Sequence, residues 1–104
     1  MTFAVAFSAS AKTDLFAIYN YIADRAGKQI ASQFVETIEA YCLGFANFPE
    51  RGIKRDDLRP GLRTVGFRRR ATILFNVDRA ARRVVIHGIY YAGRSFGAVA
   101  GEDE

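Results

Sequence analysis

The sequence is poor in the residues that build disulfides, metal centres and membrane spans. It has one cysteine, Cys42, and one histidine, His87, so an internal disulfide is excluded, and the two lie too far apart in the chain to suggest a metal site. We expect no metal and no cofactor. No stretch approaches the roughly 20 apolar residues of a membrane helix. Residues 1–8 lack the basic start of a signal peptide, so the expected location is the cytoplasm, without membrane contact.

Motifs for phosphate binding or acid–base catalysis are also missing. The sequence has no glycine-rich phosphate loop and no paired carboxylates. Asp56 and Asp57 are adjacent, but an arginine stands on each side of them, which indicates local charge compensation. Cys42 falls among apolar residues at helical spacing, which predicts a core position. His87 stands in the middle of a predicted strand, which favours a structural role.

Arginine is plentiful in the second half of the chain. Residues 1–50 carry three basic and five acidic side chains, whereas residues 51–104 carry twelve basic and six acidic ones. The net charge is +4. Such a concentration predicts a surface that faces an acidic partner, either nucleic acid or protein. A well-solvated basic surface is the alternative interpretation.

The first half of the sequence predicts a strand followed by two helices. Bulky and small residues alternate over 3–7, which is typical of a strand. Apolar residues at helical spacing then predict one amphipathic helix over about 10–25 and a second from about 29 to 47. Gly27 separates the two, so they form a hairpin. Asp14 is expected in the first helical turn, where the helix dipole favours a negative charge.

The second half predicts a loop and then three strands. Residues 49–61 contain both prolines and alternating charges, and we expect a loop there. Residues 62–67, 71–77 and 84–91 show strand patterns with short links between them, which indicates antiparallel hairpins. The predicted fold class is α+β, with the order β-α-α-β-β-β. The helical hairpin would cover one face of a small, mainly antiparallel sheet.

The opposite face of the sheet is expected to be open and basic. It would carry Thr72 and Asn76, with a run of three arginines at its entrance. In a strand, Arg68 and Arg70 share one face and Arg69 takes the other. Arginine forks bind phosphates or carboxylates through two parallel hydrogen bonds. The residues alone leave both RNA and an acidic protein segment open as ligands.

These elements resemble the RelE/ParE superfamily of toxins from bacterial type II toxin–antitoxin modules, and the ParE branch most closely. The resemblance covers roughly residues 3–95. It implies one toxin domain over residues 1–95, with 96–104 as a flexible acidic tail. It is carried by the following stretches of the sequence: Asp14-Leu15 with Ile18 and Ile22, Phe34-Val35 with Ile38, Arg55 through Arg63, Ile73 through Val77, and Val85-Ile86 with Ile89 through Tyr91 and Arg94.

The resemblance implies one of two activities. The ribonuclease branch cleaves mRNA on the ribosome, whereas the ParE branch poisons DNA gyrase and is not known to catalyse a reaction. Typical ribonuclease members place an arginine on the open face of the second hairpin strand and a tyrosine in the C-terminal segment. Here Thr72 takes the strand position, and Phe96 is the only aromatic residue after Arg94. A ribonuclease would therefore depend on Arg70, Arg94 and Tyr91 for charge stabilisation and proton donation.

The sequence thus favours a ParE-like toxin that acts by binding and is not an enzyme. It would inhibit gyrase, arrest growth and stabilise a plasmid, and a small, acidic, partly helical antitoxin would neutralise it in a hetero-oligomer. The alternatives are a ribosome-dependent endoribonuclease and an inactive module that only binds antitoxin. The residues expected to bind the target are Arg59, Arg63, Arg68, Arg70, Tyr91 and Arg94.

Overall fold

The computed structural model describes residues 2–91 of the chain. Within this range the helical hairpin, the three long strands and the α+β class predicted from the sequence are confirmed. The elements are β1 (Ala4–Phe7), α1 (Ala9–Ala26), α2 (Lys28–Leu43), a 3-10 turn (Gly44–Ala46), β2 (Ile53–Lys54), β3 (Leu62–Phe67), β4 (Ala71–Asp78) and β5 (Arg83–Tyr91).

The strands form one sheet in the order β1-β5-β4-β3-β2. β1 runs parallel to β5, and the other neighbours are antiparallel. The short strand β2 was not predicted, because two residues are too few for alternation to show. Gly52 precedes it with a φ of +77°, and a Cβ there would lie 2.1 Å from the carbonyl oxygen of Thr64. Only glycine allows β2 to approach β3 this closely.

The two helices are joined by a single residue. Ser8 caps α1, and its hydroxyl oxygen accepts the N–H of Ala11 at 3.0 Å. Gly27 has a φ of +100°, which ends α1 and lets α2 begin at once. The helices therefore pack beside each other as a hairpin over one face of the sheet.

The core lies between this hairpin and the sheet. The rings of Phe45 and Phe75 lie 4.6 Å apart, which joins the end of α2 to the middle of β4. Val5 and Phe7 of β1, together with Phe3 just before it, pack against the same core, as the alternation predicts. The residues without exposed surface are Ala11, Asp14, Ile18, Ala31, Ile38, Cys42, Phe45, Ile73, Phe75, Val84, Ile86 and Ile89.

Within residues 2–91, neither α1 nor α2 is long and apolar enough to cross a bilayer.

Candidate functional site

The arginine run forms the tight turn between β3 and β4, which we call the arginine turn (residues 68–70). The N–H of Arg70 donates to the carbonyl oxygen of Phe67 at 3.1 Å. Arg68 and Arg69 have φ values of 52° and 61°, in the left-handed region. All three side chains are exposed.

This backbone conformation is unusual for arginine. Tight hairpin turns that need two left-handed residues favour asparagine and glycine, because a Cβ raises the energy there. Strained positions of this kind tend to occur at functional sites. The side chains of Arg68 and Arg69 are therefore candidates for contact with a partner. The sequence did not reveal this, because the run was interpreted as the entrance to a strand.

Arg70 and Tyr91 contact each other on the side of the sheet that faces the helices. Nη1 of Arg70 donates to the Tyr91 hydroxyl oxygen at 3.3 Å. The Tyr91 side chain is only 5% exposed, and its ring lies 5.7 Å from that of Tyr21 and 5.4 Å from that of Phe34. The prediction that Arg70 lies on the open face is therefore wrong, because the turn redirects the chain before β4 begins. Tyr91 is likewise not placed to stack on a ligand.

A groove opens beside this pair, between the helices and the arginine turn, and we call it the end groove. Its floor is apolar and its rim carries two guanidinium groups, one of which lies 5.3 Å from the ring of Phe67. Ile30 is 52% exposed there. The end groove is lined by Ile22, Ala26, Ile30, Phe34, Arg68, Arg70 and Tyr91.

A second groove crosses the open face of the sheet. Arg59 and His87 both line it. Burial lowers the pKa of His87, and the positive charge of Arg59 lowers it further to a smaller extent. The imidazole is therefore mostly neutral at pH 7. Thr72 lies on this face, as predicted, opposite Tyr90 in the strand register. The open-face groove is lined by Ser10, Leu58, Arg59, Leu62, Leu74, His87 and Tyr90.

Arg63, one of the predicted target-binding residues, lies on the face of the sheet that the helices cover. It pairs in register with Phe75, whose side chain points into the core, and directly opposed residues share a face. Its Nη1 donates to the carbonyl oxygen of Arg51 at 3.1 Å. The predicted target-binding residues are thus divided among three places, and a single basic surface on the open face was a wrong expectation.

Two other predictions concern residues near these grooves. Arg55 donates two hydrogen bonds of 3.0 Å to Asp57, and Asp56 accepts the N–H of Gly61 at 3.0 Å. Local charge compensation is therefore confirmed for Asp57, whereas Asp56 is bonded to the backbone.

Arg94, Phe96 and the acidic tail lie outside the described residues.

Cys42 is a core residue, as predicted. Burial raises the pKa of its thiol to about 12, with a smaller contribution from Glu39. Among residues 2–91, no three His, Cys, Asp or Glu side chains come close enough together to hold a metal ion.

Asp14 lies beyond the first turn of α1, which begins at Ala9, and its side chain is fully buried, so the prediction that it sits in the first turn is wrong. Its Oδ2 accepts the N–H of Ile89 at 2.9 Å, and its Oδ1 has no hydrogen-bond partner among residues 2–91. Burial raises the pKa of Asp14 to about 6, against the lowering effect of the hydrogen bond. The spacing of Asp14 from Ala11 and Ile18 places it on the apolar stripe of α1, and this spacing could have revealed its burial.

A family model and two solved structures match this chain, and all three belong to toxin–antitoxin systems. The family model for the ParE toxin of the parDE type II toxin–antitoxin system matches residues 5–95. A chain of the chromosomal ParDE toxin–antitoxin system from P. aeruginosa is similar in structure, with a TM-score of 0.73 and 23% identity. That match covers 86% of this chain and 96% of the other.

A second solved structure has the same fold. A chain of the RelBE2 toxin–antitoxin complex from Mycobacterium tuberculosis matches with a TM-score of 0.64 and 19% identity. That match covers 88% of this chain and 92% of the other. The comparison with curated proteins gives no match.

A helical hairpin on one face of a mixed five-stranded sheet is thus a fold found in toxin–antitoxin systems of the RelE/ParE type. Within that class, the family match covers most of the sequence. The chain belongs to the ParE toxin family of type II toxin–antitoxin systems.

Proposed function

We propose that this toxin inhibits DNA gyrase by binding and is neutralised by a cognate antitoxin. One observation supports binding over RNA cleavage. Tyr91, which the ribonuclease interpretation needs as a proton donor, is 5% exposed and its hydroxyl is bonded to Arg70. A general acid must reach the atom that it protonates, and Tyr91 cannot do so without leaving its aromatic neighbours.

The arginine turn is the proposed contact with gyrase or its DNA complex. Arg68 and Arg69 project from a short hairpin turn and form no ion pair within residues 2–91. A guanidinium group that is free of a carboxylate can bind phosphate or carboxylate oxygens through two hydrogen bonds. The toxin would hold gyrase after DNA cleavage by occupying such a site. Arg59 in the open-face groove is a second candidate contact.

The antitoxin is proposed to be small, acidic and partly helical. The relatives with the same fold are parts of toxin–antitoxin complexes. The end groove suits an amphipathic helix, because its floor is apolar and its rim is basic. The net charge of +4 would make association with an acidic chain fast and dependent on salt.

One arrangement supports ribonuclease activity as a second candidate. Arg59, His87 and Tyr90 line the open-face groove together. A largely neutral imidazole can accept a proton from a 2′-hydroxyl, and a guanidinium can stabilise the phosphorane. If the toxin is a ribonuclease, the open-face groove would therefore be its cleavage site. The residues there differ from Arg70, Tyr91 and Arg94, which the sequence predicted for this activity.

Induction of the toxin in bacterial cells separates these functions. Plasmid topology and mRNA integrity are measured in the same culture, with and without the neighbouring antitoxin gene. The proposal predicts growth arrest, relaxed plasmid and cleaved DNA, while mRNA stays intact and the antitoxin restores growth. Cleaved mRNA with normal supercoiling would identify a ribonuclease, and growth without arrest would identify an inactive module.

A further inference from the structure

Strand β5 contains a bulge at His87. Its register with β4 passes from Gly88 directly to Ile86, so His87 has no opposite residue in β4. Side chains alternate along an unbroken strand, and two residues three positions apart then face opposite sides of the sheet. Because of the extra residue, His87 and Tyr90 instead line the same open-face groove. The bulge is therefore what brings these two side chains together.

Two side chains from the beginning of the chain bond the backbone on either side of this bulge. The hydroxyl of Ser8 donates to the carbonyl oxygen of His87 at 3.2 Å. Oδ2 of Asp14 accepts the N–H of Ile89 at 2.9 Å. A bulge disrupts the regular ladder of hydrogen bonds, and these two side chains satisfy backbone groups beside it. The end of β1 and the helix α1 thus fix the path of β5 through the bulge.

The open-face groove also holds a guanidinium group without an acidic partner in the described range. Arg59 forms no ion pair within residues 2–91. Beyond the larger effect of burial, its charge lowers the pKa of His87, so the two groups lie close together. An anion bound between them would favour the charged imidazole. Phosphate suits this pair, because its oxygens can accept two parallel bonds from a guanidinium and a further bond from an imidazole.

We propose that Ser8 and Asp14 are positioning residues that hold the bulge and thereby direct His87 and Arg59 at one phosphate group in the open-face groove. Neither positioning residue lines the groove, and Asp14 has no exposed surface. Leu58 lines the groove with an exposed apolar side chain, which suits the sugar or base of a nucleotide. The biological role of the site rests on the proposed function, since the DNA of a gyrase complex and mRNA both carry such phosphates.

Titration of the full-length toxin with inorganic phosphate tests the site. His87 is the only histidine in the sequence, so its imidazole signals in NMR spectra are unambiguous. We expect phosphate to move these signals and to raise the pKa of His87. Arg59→Gln should weaken phosphate binding about tenfold, whereas Arg83→Gln removes the same charge at the other end of the strand and should not weaken it. The proposal fails if sodium chloride at the same ionic strength moves the signals equally, or if Arg59→Gln binds phosphate as the wild type does.

Variants of Asp14 separate positioning from general stability. Asp14→Ala removes the acceptor of the Ile89 N–H and should weaken phosphate binding about fivefold, whereas Asp14→Asn keeps a carbonyl acceptor and should stay within about twofold of the wild type. Ile38→Val lowers stability from the core side of α2 and should leave the binding unchanged. If Asp14→Ala does not fold, Ser8→Ala and its rescue Ser8→Thr give the same comparison. Equal phosphate affinity in the removing and the conserving variant would overturn the positioning role.

A second probe identifies the source of the phosphate. A short single-stranded oligonucleotide is titrated under the same conditions, and the signals of His87 are followed again. Binding about tenfold tighter than that of inorganic phosphate would assign the site to a nucleic-acid chain, and equal affinity would assign it to free phosphate. A glutamate-rich peptide that moves these signals when neither phosphate probe does would overturn the proposal. All titrations use the toxin alone, so their failure is distinguishable from a failure of gyrase inhibition.

Discussion

Asp14 carries a carboxyl group that is fully enclosed between α1 and β5. An ionised group in such a place is costly, and only one of its oxygens has a hydrogen-bond partner within residues 2–91. Its bond to Ile89 lies beside a β-bulge, where the register with β4 shifts between Leu74 and Phe75. The carboxylate therefore fixes the part of β5 that leads to Tyr91.

The first prediction concerns the pH dependence of stability through Asp14. Its folded-state pKa of about 6 lies above the ordinary value of 3.8, so the folded chain binds more protons between these values. The free energy of unfolding should therefore fall by up to about 3 kcal/mol as the pH rises from about 4 to about 6. In Asp14→Asn this contribution is absent. Urea unfolding of both proteins between pH 4 and pH 6 measures this difference. The prediction is contradicted if the free energy of unfolding depends on pH in the same way in both proteins.

A second prediction uses Tyr91 to separate binding from catalysis. Tyr91→Phe removes the hydroxyl that Arg70 bonds and keeps the ring against Phe34. We expect a loss of stability of about 0.5–1.5 kcal/mol and growth arrest within about twofold of the wild type. Urea unfolding and growth after induction measure the two effects. Tyr19→Phe is the matched control, and a loss of toxicity of tenfold or more in Tyr91→Phe alone would contradict the binding mechanism.

At the scale of elements, the hairpin of β3 and β4 has a well-paired ladder but a strained turn. Six register pairs connect the strands, from Leu62 with Asn76 to Phe67 with Ala71. The turn itself places two arginines in the left-handed region. A hairpin selected only for stability would use asparagine and glycine there. The conformation is consistent with a turn that presents its side chains to a partner.

A third prediction follows from this strain. Replacing Arg68 with Asn and Arg69 with Gly should raise the free energy of unfolding by roughly 1 kcal/mol, because the new residues prefer the left-handed conformation. The same variant should lose gyrase inhibition. Arg82→Gly is the control, since Arg82 also has a positive φ but lies in the other hairpin turn. Arg82→Gly should not weaken gyrase inhibition. If the double variant at Arg68 and Arg69 still inhibits gyrase as the wild type does, the arginine turn is not the contact with gyrase.

Sequence periodicity predicted the elements better than their connections. Apolar spacing located α1 within one residue at each end, and β3, β4 and β5 within one residue as well. It could not predict that β1 pairs with β5 in parallel, because that register joins residues about 80 positions apart. It also missed the bulge that lets Ile86 and Ile89 both point inward.

The candidate site was less predictable than the fold. The arginines were expected to alternate across a strand, but the left-handed turn places Arg68 and Arg70 at the helical side of the sheet. The face that Arg63 occupies could not be predicted, because the strand pattern alone does not tell which face the helices cover. The residue types were informative, whereas the directions of their side chains depended on tertiary structure.

The whole molecule has basic groups on separate surfaces and several exposed apolar side chains. Leu43, Phe48 and Ile53 are each more than half exposed, and Leu58 is exposed beside the open-face groove. Together with the net charge of +4, these features favour an acidic partner that also covers apolar surface. Two different partners could use the end groove and the open-face groove.

The central claim is inhibition of gyrase by binding through the arginine turn. The most direct measurement is the supercoiling of relaxed plasmid by purified gyrase, titrated with purified toxin and the variants Arg68→Gln and Arg83→Gln. Both variants lose one positive charge, but Arg83 lies at the opposite end of β5. We predict that the wild type and Arg83→Gln stop supercoiling with cleaved DNA accumulating, while Arg68→Gln needs about tenfold more protein. Undisturbed supercoiling at every toxin concentration, with mRNA cut in a translating extract by the same preparation, would contradict it.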